Sequence, residues 1–274
     1  MNSLSYCEEK AVHEGSSLYY SIRVLPSAKR NATVALHAFW CELQEISYEC
    51  HDPQVARAKL QWWQSEIAEL FAGNVRHPVC LELSKAIESY GLEASHFEQI
   101  LHGIDHNLDQ GEYASFAELE AFCDLTGGKL SQLCTQVMGY KDVNSLTYAN
   151  TLGIAMQLLG ILRNVRRDAL VGRIYLPQGE LKQFQISPQD FYEARFDEKI
   201  QAIFAYQATR IRKYYSKALT QLPLSDYDTQ RAGRIRMQLS LATLQELEHD
   251  GYQLFKHAVR VTPLRKLWIS LRTR

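Results

Sequence analysis

The sequence predicts an all-α fold, and three observations carry that expectation. Apolar residues recur at spacings of three and four through almost every segment of the 274-residue chain. Alternating strand patterns are missing, apart from a short extended stretch at 174–177. Pro and Gly are sparse, 7 and 14 residues, and they fall between the periodic segments, where they end helices. The expectation is one domain of about ten helices, without repeats or low-complexity segments. Hydrophobic residues make up 46% of the chain, ample for a sizeable core.

Charge and cysteine content narrow the class. With 30 basic and 31 acidic residues the net charge is near zero, so no global field draws the chain to nucleic acid, and no nucleic-acid partner is expected. No apolar run reaches 18 residues, and the opening MNSLSYCEEKAVHEG lacks the basic-then-apolar order of a signal peptide. Cysteines 7, 41, 50, 80, 123 and 134 form no CxxC pair and read as reduced thiols of a cytoplasmic protein. Cys41, Cys50 and His51 fit no zinc spacing.

The elements follow in order. Residues 3–13 form a first helix with Ser3 as its cap, broken by Gly15-Ser16-Ser17. Leu18-Tyr19-Tyr20-Ser21-Ile22-Arg23-Val24-Leu25-Pro26 comes next, and its hydroxyls and Arg23 are hydrogen-bond donors suited to phosphate oxygens. In the helix 31–49, Ala35, Ala38, Phe39, Leu43 and Ile46 make the apolar stripe. Asp52-Pro53 starts a helix whose core side is Leu60, Trp63, Ile67 and Leu70; Trp62-Trp63 reads as packing, since no basic stripe accompanies it. Helices from His77-Pro78 to Tyr90 and from Glu93 to Gln110 follow. Ser115 begins another, interrupted by Gly127-Gly128, which marks a kink, a break or a close backbone approach.

The most informative stretch is Leu152–Pro177. Leu152, Met156, Leu159 and Leu162 form a helical face with no charge among residues 152–162, so this helix lies in the interior. Polarity then arrives at Arg163, Asn164, Arg166, Arg167 and Asp168, with Asn164 and Asp168 four apart on one face. Gly172 stops the helix. Two long amphipathic helices, 199–219 and 226–249, follow, the second carrying Arg231, Arg234 and Arg236 on what reads as a solvated face. The tail from Val259 on is basic and without acids, with Leu264, Leu267, Trp268 and Leu271 on one side. It fits an interfacial helix on an anionic membrane or a terminal helix docked on the domain.

Ile161-Leu162-Arg163-Asn164-Val165-Arg166-Arg167-Asp168, followed by Gly172-Arg173-Ile174-Tyr175-Leu176-Pro177, resembles the second aspartate motif of the squalene/phytoene synthase family. There a helix reads Leu-Arg-Asp-Val-x-x-Asp and runs into Gly-Arg-Ile-Tyr-Leu-Pro. The Gly-Ser-Ser-x-Tyr-Tyr-Ser start is similar to the start of that family and the end from Thr262 to Ile269 to that of its bacterial members, and the chain as a whole most resembles the bacterial branch that makes presqualene diphosphate. The resemblance covers nearly the whole chain. It implies the all-α isoprenoid synthase fold over 1–260 with a basic amphipathic tail at 261–274. It also implies Mg²⁺, farnesyl or geranylgeranyl diphosphate as substrate, and head-to-head prenyl transfer. Carried over by position, it implies Tyr20, Arg163 and Tyr175 for catalysis, and Ser17, Tyr20, Arg23, Gln44, Tyr48, Asn164 and Arg173 for substrate binding. For metal binding it implies Glu45, Glu49 and Asp168.

The departures fall on the chemistry. The family's first motif, Asp-Asp-x-x-Asp-Glu, reads Gln44-Glu45-Ile46-Ser47-Tyr48-Glu49; the arginine before it is Cys41; the first aspartate of the second motif is Asn164. Amides are weak neutral ligands for Mg²⁺, and a tyrosine replaces a carboxylate's charge only when ionised, at a reference pKa of about 10. The expectation is a family protein with depleted metal sites and weak or no catalysis, binding a prenyl diphosphate (farnesyl first), a protein partner, or both. The family has such a precedent in a mitochondrial relative acting in respiratory complex I assembly. The alternative is a working prenyltransferase that runs on Glu45, Glu49 and Asp168. The expected location is the cytoplasm, with the tail reaching the inner face of a membrane.

Overall fold

In the computed structural model the described residues are 2–50, 52–109 and 112–273, without the side chains of Glu49 and Asp109. His51 and Gln110, which the sequence placed beside a thiol and at a helix end, lie outside them. The helices are α1 (Ser3–Ala11), α2 (Ser17–Ile22), α3 (Ser27–Glu49), α4 (Pro53–Phe71), α5 (Pro78–Tyr90), α6 (Ala94–Asp109), α7 (Phe116–Cys123) and α8 (Lys129–Met138). They continue with α9 (Asn144–Leu170), α10 (Gln178–Gln183), α11 (Pro188–Tyr192), α12 (Glu198–Gln221), α13 (Arg231–His249) and α14 (Pro263–Arg272). Short helices such as α10 and α11 take the number above the expected ten. A single parallel bridge, Glu112 to Ile174, is the extended pairing among the described residues.

Local chemistry sets the boundaries. Asn2, not Ser3, caps α1, its side chain accepting from Ser5 N. Asp52 caps α4 ahead of Pro53, and Gly91 ends α5 at φ 62°. α9 starts at Asn144, well before Leu152, because buried Asp226 holds its entry: the carboxylate accepts from Lys141 N, Asp142 N and Ser145 Oγ at 2.7–2.9 Å.

Two large apolar clusters and a small one, Tyr20 with Ile235 and Leu239, make the core. One gathers on α9 and α12, with Tyr113, Phe191, Phe204 and Tyr215; the other gathers on α3 against α1, α4, α5, α6 and α8, with Phe39, Trp63 and Phe97. α9 is the one described helix long and apolar enough to cross a membrane, and most of its residues are buried in the protein core. The Gly127-Gly128 pair lies in a π-helical turn, Asp124–Gly128, that joins α7 to α8. There the backbone meets α9: a Cβ on Gly153 would stand 2.1 Å from the Gly127 carbonyl oxygen.

The solvated arginine face expected on α13 is corrected. Arg234 is buried, stacks 3.6 Å over the Tyr227 ring and donates to the Tyr227 carbonyl; Arg231 donates to the Thr273 carbonyl. Arg236 bonds His37 on α3. The tail also packs on the body. Ser270 Oγ donates to the Tyr20 carbonyl, Lys266 to the Gly15 carbonyl, and Arg265 pairs with Glu246. α14 thus docks on α2 and α13 and leaves Leu264, Leu267, Trp268 and Leu271 exposed on one face.

Candidate functional site

The two apolar clusters do not close on each other. Between α3 and α9 lies a cavity of about 330 Å³, bounded also by α2, α8 and α13. A much smaller chamber adjoins it and shares Trp40, Gln44, Gln157, Gly160 and Asn164. Helical period explains the walls. His37, Trp40, Gln44 and Tyr48 fall at i, i+3, i+7 and i+11 on one face of α3. Gly153, Gln157, Gly160 and Asn164 fall likewise on α9. The larger chamber has an apolar wall of Leu18, Ile22, Leu25, Leu130, Met138, Leu152 and Met156. No aspartate or glutamate lines it; its charged side chains are Arg163 and Arg236.

The small chamber collects Gln44, Tyr48, Asn164 and Tyr175 of the residues that the motifs pointed to. Gln44 and Tyr48 face Asn164 and Tyr175 across it. Tyr175 accepts from Asn107 Nδ2 at 3.1 Å, Tyr113 donates to Asn107 Oδ1 at 2.9 Å, and the Tyr175 ring stacks on Tyr113 and Phe122 at 6.0 and 5.9 Å. Asp168 is 1% exposed, and neither carboxylate oxygen has a hydrogen-bond partner of ordinary geometry. Burial pushes its pKa up to about 7, and nearby Tyr48, Arg167 and Arg173 only partly oppose that rise. Arg167 stacks 3.7 Å over the Tyr48 ring. Burial, and then the charge of Asp168, hold the Tyr48 phenol well above its ordinary pKa. Tyr48 is therefore neutral and does not replace the missing carboxylate.

Other sequence-predicted residues lie elsewhere. Ser17 and Arg163 line the larger chamber. Tyr20 is buried with Ile235 and Leu239 beneath α14, and exposed Arg23 donates to Tyr19 Oη and stacks on that ring; neither lines the cavity. Glu45, expected as a metal ligand, lies apart from Gln44 and Tyr48. It sits one residue off the cavity face and ion-pairs with Lys10 of α1 at 2.5 Å, beside the Lys10–Glu42 pair. The Glu49 side chain lies outside the described residues. Arg173 stands close to Asp168 and Tyr175.

The donor set can be tested against Mg²⁺. A near-octahedral Mg²⁺ wants several anionic oxygens at about 2.0–2.1 Å. Across the facing pairs, only Asp168 offers a carboxylate, and it already has Arg167 and Arg173 near it. No group of three or more His, Cys, Asp or Glu able to hold a metal occurs among the described residues. The orphaned Asp168 oxygens suit a cation, but the set as a whole does not fit the several ions of an aspartate-rich pair.

The sequence reading missed His37 and Arg236. The period of α3 held a signal for His37, at seven before Gln44; nothing local marked Arg236. Arg163 also gains neighbours from the tail: Arg260 and Lys266 lie close enough to repel it, so the mouth of the cavity is basic.

A helical shell around a cavity with one apolar wall, with two long helices facing each other through polar i, i+4 pairs, defines an isoprenoid synthase fold. The match to a crystal structure of a dehydrosqualene synthase bears this out, at TM-score 0.88 and 22% identity over 99% of this chain and 95% of that one. A squalene synthase from Alicyclobacillus acidocaldarius superposes at TM-score 0.78 and 18% identity, covering 91% and 94% of the two chains. Residues 11–266 match the sequence model of squalene/phytoene synthase, and the chain belongs to that family. A 15-cis-phytoene synthase from Synechococcus elongatus is 29% identical over 95% of this chain and 89% of its own. A presqualene diphosphate synthase from Rhodopseudomonas palustris is 26% identical over 96% of each.

Proposed function

We propose that this chain binds a prenyl diphosphate, with farnesyl diphosphate the first candidate, and that it ionises that ligand weakly or not at all. The observation that carries the reading is the pair of facing positions, Gln44/Tyr48 and Asn164/Asp168, which present a single carboxylate. Diphosphate departure needs its charge neutralised, and amides and a neutral phenol do not hold the ions for that. The apolar wall suits a hydrocarbon chain, and the relatives named above are a 15-cis-phytoene synthase and a presqualene diphosphate synthase.

Single-turnover incubation with farnesyl diphosphate and Mg²⁺, monitoring pyrophosphate, tests this. The expected result is release indistinguishable from a no-protein control, while the same ligand raises the melting temperature in the presence of EDTA. Release well above the control, abolished by Asp168→Ala, establishes the working prenyltransferase instead. Neither release nor protection, with a polypeptide co-purifying, turns the assignment to a protein partner.

A second element of the reading is a cytoplasmic protein peripheral at a membrane surface, and the exposed face of α14 supports its membrane part. Leu264 is 80% exposed, Leu271 65% and Trp268 56%, with Arg272 against the Trp268 ring. Sedimentation with vesicles containing anionic lipid is expected to fall about tenfold in a Leu264→Ser, Trp268→Ser, Leu271→Ser variant. These side chains touch little of the body, so its melting temperature should stay put. Unchanged sedimentation removes the membrane assignment.

A further inference from the structure

Arg236 is a permanent cation set in the wall of the larger chamber, which no carboxylate lines. Its hydrogen-bond partner is His37 on α3. His37 Nδ1 lies 2.9 Å from the Thr33 carbonyl oxygen, which can only accept, so Nδ1 carries the proton and Nε2 accepts from Arg236. Burial and then Arg236 itself push the His37 pKa down to about 3, so His37 brings no charge of either sign. The other groups that bear on Arg236 are Cys134 of α8, Tyr215 of α12 and Cys41 of α3, all thiols or phenols. No ion pair of Arg236 occurs among the described residues. A guanidinium so placed costs folding free energy unless an anion meets it.

The second cation of the cavity is nearby. Arg163 of α9 lines the same chamber, and both arginines act on Tyr215, so they bracket one region. Position 41, where the family pattern carries an arginine, is a cysteine within electrostatic reach of Arg236.

We infer that Arg236, oriented by neutral His37 and assisted by Arg163, forms a metal-independent site for the phosphoryl head of a hydrocarbon-tailed ligand. The inference rests on the proposed prenyl-diphosphate reading and names the group that grips the head. The fork of Arg236 can spend one N–H on His37 and keep others for phosphate oxygens. The hydrocarbon then lies along Ile22, Leu25, Leu130 and Met156.

The test compares wild type with Arg236→Met and Arg236→Lys, all in EDTA, by calorimetric titration and thermal unfolding. The probes are farnesyl diphosphate, inorganic pyrophosphate and farnesol. Wild type should bind farnesyl diphosphate most tightly. Arg236→Met should bind both anions at least about tenfold more weakly, and Arg236→Lys should fall between. Without ligand, Arg236→Met should melt no lower than wild type, since it removes an unpaired charge; a merely structural arginine predicts a lower melting temperature. Equal affinity in Arg236→Met, or wild-type binding that vanishes in EDTA, overturns the inference. So does failure of both variants to fold. If pyrophosphate binds through Arg236 but farnesyl diphosphate binds no tighter than pyrophosphate, the anion site stands and the prenyl reading falls.

Discussion

Gly153→Ala is expected to destabilise the protein by ~3 kcal/mol or more and to disturb the cavity as well. The methyl group would stand 2.1 Å from the Gly127 carbonyl oxygen and 2.8 Å from Gly128 Cα, both backbone atoms. A flexible side chain could turn away; a π-helical turn packed on the longest helix of the fold cannot do so cheaply. The expected outcome is a large loss in chemical denaturation with reduced yield of folded protein. Gly160→Ala is the control. Its Cβ meets nothing within 4 Å, because that side of α9 faces the cavity. Alanine there should stabilise by ~0.5–1 kcal/mol through helix propensity. Similar melting temperatures for the two variants would show that α9 and the π turn are not in backbone contact.

Asp168→Asn is expected to stabilise the protein at pH 8 by about 3 kcal/mol and to flatten its pH dependence. The sign follows from the direction of the shift. Burial holds the folded pKa at about 7, above the unfolded value of about 3.9. The acid form is the one the folded site tolerates. Its contribution is complete below about pH 4 and is lost as the pH rises through 7, where the unfolded chain has long since ionised. Wild type should therefore weaken between pH 5 and 8, while Asp168→Asn should not, and the two curves should converge on the acid side. Urea denaturation across that range checks this. Millimolar Mg²⁺ or EDTA should move neither curve, because the facing residues do not offer the rest of a coordination sphere. A wild-type curve restored at pH 8 by Mg²⁺, with Asp168→Asn unmoved, would put an ion on Asp168 and favour the catalytic alternative.

Much of the fold was legible because helices are local. Periodicity placed the long elements, Asp52-Pro53 and His77-Pro78 announced two starts, and Gly172 announced the end of α9. The motif positions were legible too: Gln44, Tyr48, Asn164, Asp168 and Tyr175 do converge. Their loss of charge is a property of residue type alone, and the sequence by itself determined it.

What the tertiary structure decided is where neighbouring residues point and what stands opposite them. Glu45 is adjacent to Gln44 in the chain, yet a one-residue step turns it through roughly 100° about the helix, and Lys10 of α1 captures it there. Tyr20 lies on a short helix, and its carbonyl is taken up by Ser270 of α14, a contact made across the length of the chain; Arg23, just past that helix, is turned onto Tyr19. The sequence read Arg236 as solvated because its own helix is amphipathic; only the packing of α13 on α2 and α9 brings it to His37 and into the cavity. Hydrophobic periodicity records which side of a helix leaves water. It carries no record of which helix will face it, and the charge of the cavity depends on that facing partner.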